Sequence, residues 1–205
     1  MLLEETCNLF IDMARKFLDP GSIFQIEVEE AADKVIRSQK NLKEFKKTFQ
    51  KYKGKLATYF TEEKKPKTWD FQEVLVFKRF DSFQSRLNII SEFFTTAQQF
   101  QKLERVEIGG IRGKMLTNHV KKIYVEFGEL YATFGMRTYD ALNPKDKKFL
   151  RDYEKFNCKL FCLDRKLGAI LSRAFEDCTE SQSVFRLLHV FGGLVDRKLI
   201  SLELS

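Results

Sequence analysis

An all-α fold, an elongated antiparallel bundle of long amphipathic helices, is what this sequence predicts, and three observations carry that prediction. Apolar residues recur in alternating steps of three and four across five long segments, the spacing that lines one stripe of an α-helix. Ten glycines and three prolines in 205 residues are about half the usual share, too little turn punctuation for a many-stranded β architecture. A composition of 43% hydrophobic and 32% charged residues supports a core and excludes wholesale disorder. The chain is long enough to bury that core without disulfide or metal staples. It reads as a single helical-bundle segment over 1–205, with 104–113 as the one candidate sub-boundary.

Pro20, Pro66 and Pro144 fall between the periodic segments, as do the glycines at 109, 110 and 113 and the pair Gly192-Gly193. Proline stops a helix because it lacks the donor and clashes with the preceding turn. The first segment, 3–18, places Leu3, Cys7, Phe10, Ala14 and Phe17 on one stripe. The second starts near Glu27 and runs to about 60. Its acidic opening (Glu27, Glu29, Glu30) suits the positive end of a helix dipole, and its later seam is Leu42, Phe45, Phe49, Tyr52, Leu56, Tyr59.

The third segment, about 70–103, carries Val76, Phe80, Phe83, Leu87, Ile90, Phe94 and Ala97, with Leu75, Phe77, Ile89 and Phe93 beside them. So broad a stripe needs neighbours on more than one side. The fourth, 114–134, carries Leu116, Val120, Ile123, Phe127, Leu130 and Phe134. The fifth, 145 to about 177, carries Phe149, Tyr153, Phe156, Leu160, Leu163, Leu167, Ile170 and Ala174. A short tail follows. Only Val106-Glu107-Ile108 reads as extended. Most of the 21 phenylalanines fall on these seams, which points to aromatic core packing.

No apolar run approaches the ~20 residues of a membrane span. The opening Met1-Leu2-Leu3-Glu4-Glu5 is acidic and reads as no secretory signal. Cys7, Cys158, Cys162 and Cys178 are expected to be reduced, cytosolic thiols, buried as small hydrophobes. Cys158 and Cys162 share a helix face, but no C-x-x-C pair or histidine partner accompanies them, so no metal site is expected.

Gly109-Gly110-Ile111-Arg112-Gly113-Lys114-Met115 invites comparison with a phosphate-binding loop. That motif needs four residues between its glycines, then Lys and a hydroxyl. Three residues separate Gly109 from Gly113, and Met115 stands where the hydroxyl belongs. A tight connector with glycine-specific geometry is the better reading. His119 and His189 lie in no nucleophile motif, and no serine sits in G-x-S-x-G. No catalytic, cofactor-binding or metal-binding residue is therefore assigned, and no cofactor.

Charge is uneven. Residues 1–33 hold two basic and eight acidic residues, a balance of −6, within an overall charge of +7. Residues 43–67 hold nine lysines (Lys43, Lys46, Lys47, Lys51, Lys53, Lys55, Lys64, Lys65, Lys67) and three glutamates, a balance of +6. Such a stretch is either a solvated helix face and loop or a contact for an acidic partner. It has no arginine and no nucleic-acid signature.

Several stretches, in order, resemble the N-terminal tail region of dynein heavy chains, most closely the axonemal type. They are Leu2-Leu3-Glu4-Glu5-Thr6-Cys7-Asn8-Leu9-Phe10; Phe77-Lys78-Arg79-Phe80-Asp81-Ser82-Phe83 with Arg86-Leu87; and Lys102 to Lys114, similar to the family's K-L-E-K-V-E-I-G-G-x-x-G-K. Leu163-Asp164-Arg165-Lys166-Leu167, Ala174-Phe175-Glu176-Asp177-Cys178 and Phe191-Gly192-Gly193-Leu194 follow. Together they span nearly the whole chain.

The resemblance implies a non-catalytic scaffold segment of a microtubule motor. It implies partners among other dynein heavy chains, dynein intermediate and light chains and axonemal docking proteins, with no nucleic acid and no membrane. It also implies a place in the cytoskeleton of the ciliary axoneme, an ATP-hydrolysing ring far C-terminal of this segment, and an excised or truncated chain with Met1 an added start. The alternative that the residues leave open is a free-standing basic adaptor that binds acidic protein surfaces through 43–67.

Overall fold

The computed structural model describes residues 2–59 and 71–197, with backbone alone at 56–59. Pro66, Lys64, Lys65, Lys67 and the seam side chains of Leu56 and Tyr59 lie outside the described residues. Six α-helices follow one another: α1 (Leu2–Leu18), α2 (Val28–Tyr59), α3 (Glu73–Gln101), α4 (Gly113–Gly135), α5 (Lys147–Glu176) and α6 (Ser181–Phe191). Short 3-10 turns extend α3 (Lys102–Arg105) and α6 (Gly192–Leu194). The described residues contain no strand, and no helix among them is long and apolar enough to cross a membrane. The fold is all-α. Val106 is extended (φ −74°, ψ 126°) but pairs with no other strand. The stretch read as a tail forms α6.

The described residues gather into two compact units. The first holds those up to Phe94 together with Asp140–Asp146; the second holds Thr95–Tyr139 and those from Lys147 on. Helix α3 contributes residues 73–94 to the first and 95–101 to the second.

In the first unit α1 packs on α2, but through a face rotated from the expected one. Cys7, Ile11 and Leu18 are buried, whereas Phe17 is 48% exposed. The reason lies in α1 itself. Leu2, Leu9, Met13 and Phe17 make its outward side apolar too, so periodicity offers two stripes and the neighbouring helix selects one. Asp19 ends α1 in the left-handed region (φ 49°). Its carboxylate accepts the Ser22 hydroxyl at 2.6 Å and the Gly21 N–H at 3.2 Å. These two bonds, the hydroxyl first, hold the Asp19 carboxyl below its usual pKa.

Helix α2 buries Val28, Ala31, Ala32 and Val35 ahead of Leu42, so the later seam continues a buried stripe that starts at the head of the helix. Tyr52, expected on the seam, is 57% exposed. Along α2, Gln39, Lys46 and Lys53 meet Asn88, Asp81 and Glu73 in turn. Partner numbers fall as α2 advances, so α2 and this part of α3 run in opposite directions. Rings fill the seam between them: Phe45 lies 5.7 Å from Phe80, and Phe49 lies 5.2 Å from Phe77. On α3, Phe77, Phe80, Phe83, Leu87, Ile90, Phe93 and Phe94 are at most 1% exposed. Phe77 and Phe93, expected beside the seam, are buried with it, whereas Leu75 is 65% exposed and Val76 and Ile89 are half-buried.

In the second unit the expected seams are the observed ones. Leu116, Val120, Ile123, Phe127, Leu130 and Phe134 are all buried on α4. On α5, Phe149, Phe156, Leu160, Leu163, Leu167, Ile170 and Ala174 are buried and Tyr153 half so. Phe134 meets Phe149 at 6.2 Å and Phe156 at 5.5 Å, while Phe127 meets Phe156 at 6.2 Å and stacks on Phe100 at 4.4 Å. Such aromatic pairs add about 0.5–1.5 kcal/mol each beyond their burial.

Candidate functional site

Three arginine clamps and a glycine connector draw on residues of the motif stretches. Arg86, from the stretch 77–87, is 3% exposed. It stands beside the α3 seam and donates to the carbonyl oxygens of Ala141 (2.8 Å), Asp146 (3.0 Å) and Pro144 (3.4 Å). The chain segment between α4 and α5 is thereby tied to the first unit. Arg15 adds an ion pair to Asp140 at 2.6 Å. A charged residue at the edge of an apolar stripe was the signal for this clamp. Its acceptors, 55–60 residues away and on the backbone, left no trace in the sequence.

The second clamp joins two of the stretches. Arg112 immediately precedes α4, and its guanidinium grips Asp177 through three bonds of 2.6–3.0 Å. It also donates to the Arg173 carbonyl at 3.2 Å and to Glu176 at 3.4 Å. The hydrogen bonds from Arg112, and then its charge, hold the Asp177 carboxyl below its usual value. Asp177 in turn raises Arg112. The third clamp is bidentate: Arg197 donates to both oxygens of Asp164 at 2.7 Å. Asp164 is 4% exposed on α5. Parallel fork-to-carboxylate bonds are the stronger class of ion pair.

The connector between these clamps is built on glycine. Gly110 has φ +90°, a region L-residues rarely adopt. A Cβ on Gly113 would stand 2.3 Å from the Ile108 carbonyl oxygen. The Ile108 N–H is held by the Thr117 hydroxyl at 2.9 Å and the Gly113 N–H by the Gly110 carbonyl at 3.1 Å. The Ile108 carbonyl thus fills the space against Gly113. The glycines serve close backbone approach and a left-handed turn. Gly109 meets no such demand: a Cβ there would touch nothing within 4 Å.

The cysteines depart from expectation. Cys7 is buried, but Cys158 and Cys162 are exposed on α5 and Cys178 is half-buried. Both exposed thiols stand off the 156–160–163–167 stripe, so sharing a face with each other put them on the solvent side. Burial, with the Asp81 charge second, pushes the Cys7 thiol up. Among the described residues no three His, Cys, Asp or Glu side chains gather in a way that could hold a metal ion. His119 lies half-buried on α4 and His189 exposed on α6. Of the described lysines in 43–55, Lys46 pairs with Asp81 at 2.5 Å and Lys53 with Glu73. Lys43, Lys47, Lys51 and Lys55 face solvent.

The whole chain, residues 1–205, matches the family described as "Dynein heavy chain, N-terminal region 1". It is 44% identical over 200 residues to a ciliary dynein beta chain of Tripneustes gratilla, covering 98% of this chain and 4% of that one. It is 38% identical over 205 residues to dynein axonemal heavy chain 9 of Homo sapiens, covering 100% and 5%. The flagellar outer arm dynein beta chain of Chlamydomonas reinhardtii is 38% identical over 204 residues, with 100% and 4% covered. The chain therefore spans about one twentieth of the length of the curated relatives it matches.

Proposed function

The chain belongs to the dynein heavy chain N-terminal region family, and from that premise we propose that it is a non-catalytic, load-bearing scaffold in the tail of an axonemal dynein heavy chain. Its place is the cytoskeleton of the ciliary or flagellar axoneme. Its partners are other dynein heavy chains, dynein intermediate and light chains and axonemal docking proteins. The ATPase motor of the parent molecule lies outside these residues.

One observation carries the reading. Four polar residues of the motif stretches hold helices to their connections: Arg86 on three carbonyls, Arg112 on Asp177, and Asp164 on Arg197. Side chains committed to ion pairs and backbone acceptors resist relative movement of the elements they join. They are poorly placed to bind a substrate. Load passing along such a chain is carried by continuous apolar seams, whose burial stabilises by roughly 25 cal/mol per Å², and by clamps at the places where the chain turns.

Retrieval from ciliary extract tests this. The tagged chain retains dynein intermediate chains or another dynein heavy chain, and the association survives moderate salt. Binding that collapses as salt rises, without dynein subunits, belongs instead to a basic adaptor working through the 43–67 lysines. ATP turnover by the purified chain, abolished by Lys114→Ala, would make it an enzyme.

A further inference from the structure

The first unit carries a trough that the clamps leave open. It holds about 760 Å³ and is bounded by α1, the first turns of α3 and the corner Asn143-Pro144-Lys145. Its floor is apolar: Ile11 and Phe83 are buried, Val76 is half-buried, and Leu75 is 65% exposed. Its rim is basic, since Lys78, Arg79 and Lys145 line it against one carboxylate, Glu4. Arg15 also lines it but is neutralised by Asp140. Arg79 bonds the Asn8 side chain at 2.8 Å, stands 4.0 Å from Asp12, and keeps its side chain 61% exposed. Lys78 and Lys145 make no ion pair within the described residues.

The part of that floor open to solvent, Leu75 with half-buried Val76, costs free energy in proportion to its area and is relieved by whatever covers it. The rim decides the sign of that cover. We propose that this trough is the receptor for an acidic amphipathic helix of a partner chain. The helix lays its apolar stripe on Leu75 and Val76 and its carboxylates against Lys78, Arg79 and Lys145, the helix-in-groove mode of recognition. A small metabolite fits less well, because the trough is open whereas ligand pockets enclose about 70–90% of their occupant's surface. The inference rests on the tail-scaffold reading, for which it supplies one partner surface.

The test is fluorescence anisotropy with the purified 205-residue chain. The probe is a labelled peptide of about 18 residues, long enough to hold a helix, with leucines at i, i+3, i+4 and i+7 flanked by glutamates. Controls are a lysine-for-glutamate version and a scrambled one. The acidic peptide binds about tenfold more tightly than either control, and its affinity falls as salt rises. Lys78→Glu with Lys145→Glu weakens it about tenfold, and Leu75→Asp does the same, with far-ultraviolet circular dichroism and melting temperature unchanged because all three sites are exposed.

Equal affinity for acidic and scrambled peptides overturns the proposal, as do variants that bind as tightly as the parent. Binding to anionic phospholipid vesicles that displaces the peptide overturns it in favour of a membrane surface. Self-association lost in the same variants overturns it in favour of a second copy. Each of these results leaves the retention of dynein subunits from extract to be read separately, so the scaffold reading stands or falls on its own.

Discussion

Replacing Gly113 by alanine tests the connector where its geometry is tightest. The added Cβ would lie 2.3 Å from the Ile108 oxygen and 3.1 Å from its carbon. Both obstructing atoms are backbone, so no side chain can swing aside, and the oxygen must retreat by about 0.7 Å to reach even the 3.0 Å limit of real Cβ contacts. Overpacking of this kind costs about 1–3 kcal/mol. Displacing Ile108 also weakens its N–H bond to Thr117, worth about 0.5–1.5 kcal/mol. Against this stands a helix-propensity gain of at most about 1 kcal/mol, reduced because Gly113 is the first residue of α4.

A net loss of about 2–3 kcal/mol is expected, which lowers the melting temperature of a chain this long by about 4–12 °C. Circular dichroism at 222 nm, with urea midpoints alongside, reads it. Three neighbours calibrate the result. Gly110→Ala costs about 1–2 kcal/mol for its positive φ. Gly109→Ala, with open space around it, stays within about 0.5 kcal/mol. Gly128→Ala, exposed inside α4 with nothing near its Cβ, stabilises by up to about 1 kcal/mol. If Gly113→Ala melts with Gly109→Ala, the close-approach account of the connector is wrong.

Arg86→Met is expected to cost about 3 kcal/mol, because three carbonyls lose a charged donor, and to speed proteolytic nicking within 140–146; Arg79→Met, at a 61% exposed side chain, changes urea midpoints little. Native alkylation followed by mass spectrometry finds Cys158 and Cys162 labelled first, Cys178 next and Cys7 only on unfolding, since burial and Asp81 suppress its thiolate. Equal rates for Cys7 and Cys158 would contradict the packing of α1. Asp177 has a depressed carboxyl pKa, so the stability it contributes through Arg112 is complete above its unfolded value, near 3.8, and drains as pH falls through the lower folded value. The difference in melting temperature between the parent and Asp177→Asn therefore holds steady from about pH 5 to 8 and shrinks below about pH 4.

The helices were legible to different degrees, for a reason visible in each. On α4 and α5 the apolar residues form one stripe between charged flanks, so counting threes and fours named the buried side chains almost one for one. On α1 the apolar arc is wide enough to hold two stripes, and periodicity alone favours Phe17 where packing buries Leu18. On α2 the buried face opens with Val28 and the small residues Ala31 and Ala32, and alanine gives a weak periodic signal. The tail residues 181–191 were too few for periodicity to separate helix from loop. Cys158 and Cys162 were expected inside because of what cysteine usually does, whereas their register on α5 puts them outside.

Local pattern alone therefore determined the secondary structure class, the breaks at Pro20, 109–113 and Pro144 and most of the core, because helix periodicity and glycine or proline punctuation are properties of near neighbours along the chain. Tertiary structure decided which of two apolar faces is covered. It also decided which carbonyls Arg86 reaches, that Arg112 finds Asp177 and Arg197 finds Asp164, and that a basic rim closes around an apolar floor beside α1. Those outcomes depend on distances between residues 33 to 125 positions apart. Only the packed chain fixes such distances, since burial rewards a fit between surfaces and no single segment carries both halves of it.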